Sequence, residues 1–216
     1  MYRLSDTEIS FPHPDCADED GYLAYGGDLS IERLFFAYQW GIFPWYSEQP
    51  IRWWSPDPRF VLFPDRIKVS SSMKKILKKG IFNITFNQEF STVMKKCRDQ
   101  RIDAEGSWIG DEMIDAYTEL HRLGFAHSAE AWQDGQLVGG LYGVRLGNVF
   151  FGESMFHTVT NASKAAFITM VENLRSTGCV IIDCQVKTDH LESLGAEFIH
   201  RKDFLNILEH EVRAKL

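Results

Sequence analysis

The apolar positions of this chain read mainly as helices up to about residue 126, and from His127 the texture changes to strands, with helices between them further on. In the first part, Ser30 stands as N-cap to a helix over 31–40 that Gly41 ends. Ser71 or Ser72 caps a short basic helix ending at Gly80, and residues 89–101 and 111–123 read as further helices, the last closed by Gly124. An alternating run at 82–86 reads as a strand. Beyond His127, residues 127–133 and 137–145 form a hairpin about the Asp134-Gly135 turn, and 149–153 is a third strand. A helix over 161–177 stops at Gly178, followed by a strand at 180–185, a helix near 189–194, a strand at 197–201 and an amphipathic helix at 203–215. Antiparallel hairpins followed by β-α-β-α imply an α+β fold, a mixed sheet with helices on both sides.

The segment between the first two helices fits neither period. Nine aromatic rings fall between Phe35 and Trp54, most of them in Gly41-Ile-Phe-Pro-Trp-Tyr46 and Ile51-Arg-Trp-Trp-Ser-Pro-Asp-Pro-Arg59. Prolines 44, 56 and 58 forbid a continuous helix or central strand there. Most of these rings are expected to pack under a loop, which leaves one or two for stacking on a flat group such as a nucleobase. Pro56, Pro58 and Pro64 mark a boundary near residue 62, so we expect a small N-terminal domain over 1–62 and a larger one over 63–216.

Composition narrows the classes. At 216 residues with 44% hydrophobic and 25% charged side chains, the chain has the make-up of a soluble globular protein. No run approaches the roughly 18 apolar residues a membrane span needs, and the N-terminus lacks an apolar signal core. Four cysteines without a Cys-x-x-Cys spacing point to reduced thiols and a cytoplasmic setting. The net charge of −7 is unevenly spread: residues 66–101 hold ten Lys/Arg against Glu89 and Asp99. That basic segment, centred on Lys74, Lys75, Lys78 and Lys79, suits a short stretch of phosphates on an otherwise acidic body.

Candidate chemistry gathers at two strands. Asp183 and Gln185 stand two apart on the strand 180–185 and so are expected to share a face. Glu153 comes at the expected end of the strand 149–153, among apolar neighbours, where a buried carboxyl must be hydrogen-bonded or protonated. Two strand-end acids in one mixed sheet fall where such sheets bind ligands. Other signals are weak. Ser128 beside His127 lacks a Gly-x-Ser-x-Gly elbow, no histidine pair has metal-ligand spacing, and Gly26-Gly27 and Gly139-Gly140 match no nucleotide fingerprint. Those glycines are expected at turns or close backbone contacts, and neither a metal nor a cofactor is expected.

Taken in order, the motifs resemble one family, the leucyl/phenylalanyl-tRNA–protein transferases of bacteria. The likeness rests on Phe11-Pro-His-Pro14, Gly21-Tyr-Leu-Ala-Tyr-Gly-Gly-Asp-Leu-Ser30, the two aromatic motifs above, Glu105-Gly-Ser-Trp-Ile109 and His127-Ser-Ala-Glu-Ala-Trp132. It continues in Leu137-Val-Gly-Gly-Leu-Tyr-Gly143, Gly152-Glu-Ser-Met-Phe156, Asn161-Ala-Ser-Lys164, Ile182-Asp-Cys-Gln185 and His190-Leu-Glu-Ser-Leu-Gly-Ala196.

The resemblance implies a small N-terminal domain joined to an acetyltransferase-like (GNAT) domain. It also implies transfer of Leu, and less readily Phe or Met, from charged tRNA to proteins that begin with Arg or Lys, creating a degradation signal. By the same resemblance Trp45 and Trp108 hold the terminal adenosine, while Asp183, Gln185 and Glu153 are the catalytic set. Leu141, Phe150, Met155, Phe167 and Met170 form the aminoacyl pocket, in which Leu141 and Met170 depart from the family's usual residue types. We expect Asp183 to polarise Gln185, whose amide oxygen orients the attacking amine, with Glu153 holding that amine or the terminal ribose. The four lysines are expected to meet the acceptor stem, and a monomer is expected. Two alternatives stand beside this reading. One is a coenzyme A-dependent acetyltransferase, against which the glycine-free junction 156–164 argues. The other is a non-catalytic module for aminoacyl-tRNA or protein N-termini, against which the paired strand acids argue.

Overall fold

A computed structural model describes residues 2–102 and 107–215, so Glu105 and Gly106 of the Trp108 motif lie outside the described residues. In chain order β1 (Tyr2–Leu4), β2 (Tyr22–Gly26), α1 (Ile31–Gln39), β3 (Phe43–Pro44) and β4 (Arg52–Trp54) come first. They are followed by β5 (Arg59–Leu62), α2 (Ser71–Lys78), β6 (Asn83–Phe86), α3 (Phe90–Ile102), α4 (Asp111–Arg122), β7 (Ala126–Gln133), β8 (Gln136–Leu146) and β9 (Val149–His157). The chain ends through α5 (Ala162–Ser176), β10 (Ile181–Gln185), α6 (Asp189–Ser193), β11 (Glu197–Ile199) and α7 (Arg201–Glu211).

The strands form a four-stranded sheet of order β1-β2-β4-β3 and a seven-stranded sheet of order β11-β5-β10-β9-β8-β7-β6. In the larger sheet only β9 and β10 run parallel, joined by α5 as crossover. The expected boundary at residue 62 falls on the wrong side of β5. Arg59–Leu62 pairs with β10 and β11 inside the larger sheet, so the chain changes sheets between Trp54 and Arg59, across Pro56 and Pro58. Proline cannot donate to a ladder, and pairing stops where the prolines begin and resumes once they end.

The hairpin turns at Asp134 and Gly135, both at positive φ as a two-residue hairpin turn requires. β9 runs on to His157, four residues beyond its expected end, which puts Glu153 inside the strand. Ser70, rather than Ser71 or Ser72, caps α2, its hydroxyl accepting from the Met73 N–H at 3.3 Å. Alternate residues feed two core layers: Phe151 and Ile181 belong to one, Phe150 and Ile182 to the other. The first layer is continuous with Leu23, Ile42 and Trp53 of the N-terminal region and with Phe204 of α7. The second is closed by α5 and α2. Close helix–sheet approach explains one glycine of the Gly139-Gly140 pair. A Cβ on Gly139 would sit 2.7 Å from the Ala162 Cβ, too near for any side chain unless α5 moved off β8.

Candidate active site

The parallel pairing of β9 with β10 ends at the Phe151–Asp183 rung, and two irregularities then drive the strands apart. On β9, Tyr142 faces Ser154 and Gly143 faces Gly152, so Glu153 is the extra residue of a bulge. On β10 the register against β5 slips between Asp183 and Gln185, and Gln185 is held at φ 63, a left-handed conformation rare outside glycine. The simple alternation that would have set Asp183 and Gln185 on one face is therefore broken. The wedge between the strands is a cavity of about 550 Å³.

Indoles form part of its wall. Trp45 is 40% exposed, and its ring centroid lies 6.1 Å from that of Trp108 and 5.5 Å from that of Trp54, edge to face in both cases. The Trp54 Nε1–H donates to the Trp45 carbonyl at 2.7 Å, and the Arg101 guanidinium lies 3.9 Å from the Trp108 ring centre. Trp45 and Trp108 both line the cavity. Trp53 is fully buried with its Nε1–H on the Gly26 carbonyl at 2.9 Å, and so belongs to the core.

The polar groups at the apex form one chain. Arg59 grips Asp183 with two hydrogen bonds, Nε to Oδ1 at 2.8 Å and Nη2 to Oδ2 at 2.6 Å, and both side chains are buried. Asp183 Oδ1 also accepts the backbone N–H of Gln185 at 2.9 Å. Asp183 thus holds the main chain of Gln185 and not its amide, which corrects the expectation that it polarises the amide directly. The Gln185 Nε2 donates to Glu153 Oε1 at 3.2 Å, and the Tyr38 hydroxyl donates to the same oxygen at 2.7 Å. The Tyr38 hydroxyl also bonds that of Tyr117. Burial pushes the Glu153 carboxyl up to about 7 from an ordinary 4.5; the Tyr38 bond pulls it down, the Asp183 charge pushes it up, and Gln185 and Arg59 pull it down again. Burial likewise drives the phenols of Tyr38 and Tyr117 well above their usual range, which keeps them hydrogen-bond donors.

Most residues expected to act together do meet. Trp45, Trp108, Glu153, Asp183, Gln185, Leu141, Met155 and Phe167 line the one cavity. Phe150 and Met170 do not. Phe150 precedes the splay and is buried against Gly143, and Met170, a turn beyond Phe167 on α5, is buried in the core layer behind the cavity. Lys74, Lys75 and Lys78 of α2 and Lys79 at its C-terminal cap are all exposed, outside the cavity, on a helix that packs against α5. Sequence reading missed Arg59, Tyr38, Tyr117, Arg101 and His190. Arg59 carried one signal, as the cation closing a proline-rich motif. Burial and neighbouring positive charge hold the His190 imidazole down at about 4, and its Nε2, at the cavity wall, has no hydrogen-bond partner among the described residues.

The larger sheet of this α+β chain has one parallel strand pair, splayed over an acid–amide couple with an antiparallel hairpin beside it. Residues 61–209 match the model of the leucyl/phenylalanyl-tRNA protein transferase family, and residues 27–57 match the model of that family's N-terminal domain. The leucyl/phenylalanyl-tRNA–protein transferase of Desulfatibacillum aliphaticivorans is 57% identical over 210 residues, 96% of this chain and 90% of its own. That of Pseudomonas fluorescens (strain Pf0-1) is 54% identical over 208 residues, covering 95% and 92%. Among solved structures, L-PGS from Bacillus licheniformis superposes with a TM-score of 0.45 at 11% identity, over 77% of this chain and 53% of that one. The chain belongs to the leucyl/phenylalanyl-tRNA–protein transferase family and is a transferase that moves aminoacyl groups from tRNA to protein. No helix among the described residues is long and apolar enough to cross a membrane.

Proposed function

We propose that this enzyme transfers leucine, and less readily phenylalanine or methionine, from its tRNA to the α-amine of proteins that begin with Arg or Lys, in the cytoplasm, and that the product is a degradation signal. The observation that carries this reading is the single cavity lined both by the Trp45 and Trp108 indoles and by Glu153, Asp183 and Gln185. Adenine stacks on the indoles, and the ester-linked side chain enters the apolar part of the cavity at Leu141, Met155 and Phe167.

The aminoacyl ester is already activated, so the chemistry left for the protein is to aim and deprotonate an amine. An α-ammonium titrates at about 7.7–8, close to the value of about 7 at Glu153, so passing its proton to that carboxylate costs little. The Gln185 amide gives its nitrogen to Glu153, which leaves its carbonyl oxygen as acceptor for a second N–H of the amine. The amine nitrogen then bonds the ester carbonyl carbon and the C–O bond to the terminal ribose breaks. The proton held by Glu153 passes to the departing ribose oxygen, and the carboxylate so freed takes the surplus proton from the nitrogen, which leaves a neutral amide. Among the described residues Glu153 is the cavity carboxylate with no ion pair, since Arg59 occupies Asp183. An Arg or Lys beside the amine is further favoured by the acidic body, net −7 overall.

The test mixes labelled Leu-tRNA with a peptide starting in Arg and one starting in Ala. Label on the first and not on the second is expected. Label on neither, or equally on both, overturns the reading.

A further inference from the structure

We propose that Arg59 is a positioning residue for transfer: it fixes Asp183, and through Asp183 the left-handed turn that aims the Gln185 amide at Glu153. The inference rests on the reading of function above and adds to it a residue that does not line the cavity.

Three observations converge on Arg59. Its bidentate contact with Asp183 is fully buried, so the geometry of one side chain fixes that of the other. Its guanidinium lies between two rings, 4.8 Å from the centre of Phe43 and 4.9 Å from that of Phe204. Nη1 is buried without a hydrogen-bond partner among the described residues, and the ring faces stand in for one. The clamp therefore draws on β3 of the small sheet and on α7 at the far end of the chain, and holds a residue of β5 against β10.

The third observation is what the clamp acts on. Gln185 sits at φ 63, where an L side chain is strained and reverts unless held. The hold is Asp183 Oδ1 on its backbone N–H, the same oxygen that accepts Arg59 Nε. Lysine in place of Arg59 keeps a positive charge but offers no two-pronged contact. Asp183 Oδ1 is then free to turn, and the Gln185 amide loses its fixed aim at the amine.

The experiment compares the intact chain with Arg59→Lys, Gln185→Ala and the double variant, using Leu-tRNA and a peptide starting in Arg, with folding followed by near-UV circular dichroism. Arg59→Lys is expected to lower kcat about 10- to 100-fold, the scale of a small misplacement at a reacting centre. KM for Leu-tRNA is expected to stay within about twofold, since the adenosine platform is untouched. Because Arg59 acts through Gln185, the double variant is expected to turn over no more slowly than Gln185→Ala alone. A folded Arg59→Lys with unchanged kcat overturns the inference, and so does a double variant whose loss is the product of the two single losses. Should Arg59→Lys fail to fold, Phe204→Leu serves instead. It removes one ring from the guanidinium and leaves every hydrogen bond, so kcat falls with KM unchanged; an unchanged kcat overturns the inference. Absence of transfer by the intact chain overturns the reading of function itself, an outcome distinct from normal transfer by the intact chain and the variant alike.

Discussion

Gln185 Nε2 donates to Glu153 Oε1 across 3.2 Å, from β10 to β9, at the level where the two strands no longer share a ladder. A side-chain bond replaces the backbone bonds the sheet has given up there. It ties the carboxyl to an amide whose own main chain is pinned by Asp183.

Glu153 titrating at about 7 sets the pH dependence. In the proton-accepting role kcat rises with pH through about 7, and Glu153→Gln loses that limb together with most of the rate, about 10²- to 10⁴-fold. The sign for stability runs the other way from that of a salt-bridged acid. The folded value lies above the ordinary 4.5, so the contribution of Glu153 is fully present below about 4.5 and is lost as pH rises through about 7. Glu153→Gln is therefore expected to gain in Tm relative to the parent between pH 5 and pH 8. A kcat profile identical in parent and variant removes Glu153 from proton transfer.

Trp45→Ala and Trp108→Ala weaken tRNA binding. Removing the ring under one stacked base costs about 1–3 kcal/mol, or about 5- to 150-fold in Kd. The rings touch edge to face at 6.1 Å, so the double variant falls short of the sum. Filter binding with deacylated tRNA measures this, and wild-type affinity in both single variants would refute the platform.

Asp183→Ala tests the buried ion pair as structure. It leaves the Arg59 guanidinium buried without its carboxylate, a change worth about 3–5 kcal/mol. Urea unfolding gives the value, and a loss under about 1 kcal/mol means that water reaches Arg59.

The exposed lysines of α2 predict a salt effect. If Lys74, Lys75, Lys78 and Lys79 meet phosphates, replacing all four by Ala flattens the plot of log K against log salt, by about 0.7–0.9 for each phosphate no longer neutralised. Turnover at saturating tRNA stays as in the parent. An unchanged slope places the acceptor stem elsewhere.

Phe167→Ala enlarges the apolar end of the cavity. One methylene's worth of fit is about 1–3 kcal/mol, so the ratio of Phe to Leu transfer is expected to rise about 10-fold or more. A constant ratio in competition between the two charged tRNAs would show that this ring does not bound the amino acid.

The hairpin and α5 were legible because each is a periodic run long enough to show its period and bounded by Gly or Asp-Gly, and β10 was legible as a short apolar run after Gly178. β1 to β5 were not, being two to five residues each, too short to show alternation. The acids and the amide stood out as polar groups in apolar strands. Their partners did not. Tyr38 and Tyr117 occupy ordinary buried positions on helices, and nothing local joins Tyr38 to Glu153, 115 residues away, or Arg59 to Asp183, 124 residues away. Bulge and left-handed turn escaped for the same reason: alternation assumes regular pairing, and here the site is built from its failure.

Beyond the Phe151–Asp183 rung, the cavity-lining side chains Glu153, Met155 and Gln185 stand on backbone with no ladder bond across the wedge. Replacing Met155 reshapes the wall of the cleft and leaves the seam below it closed. The wall of the cleft can therefore change while the scaffold stays fixed, because cavity lining and cohesion occupy different lengths of the same two strands.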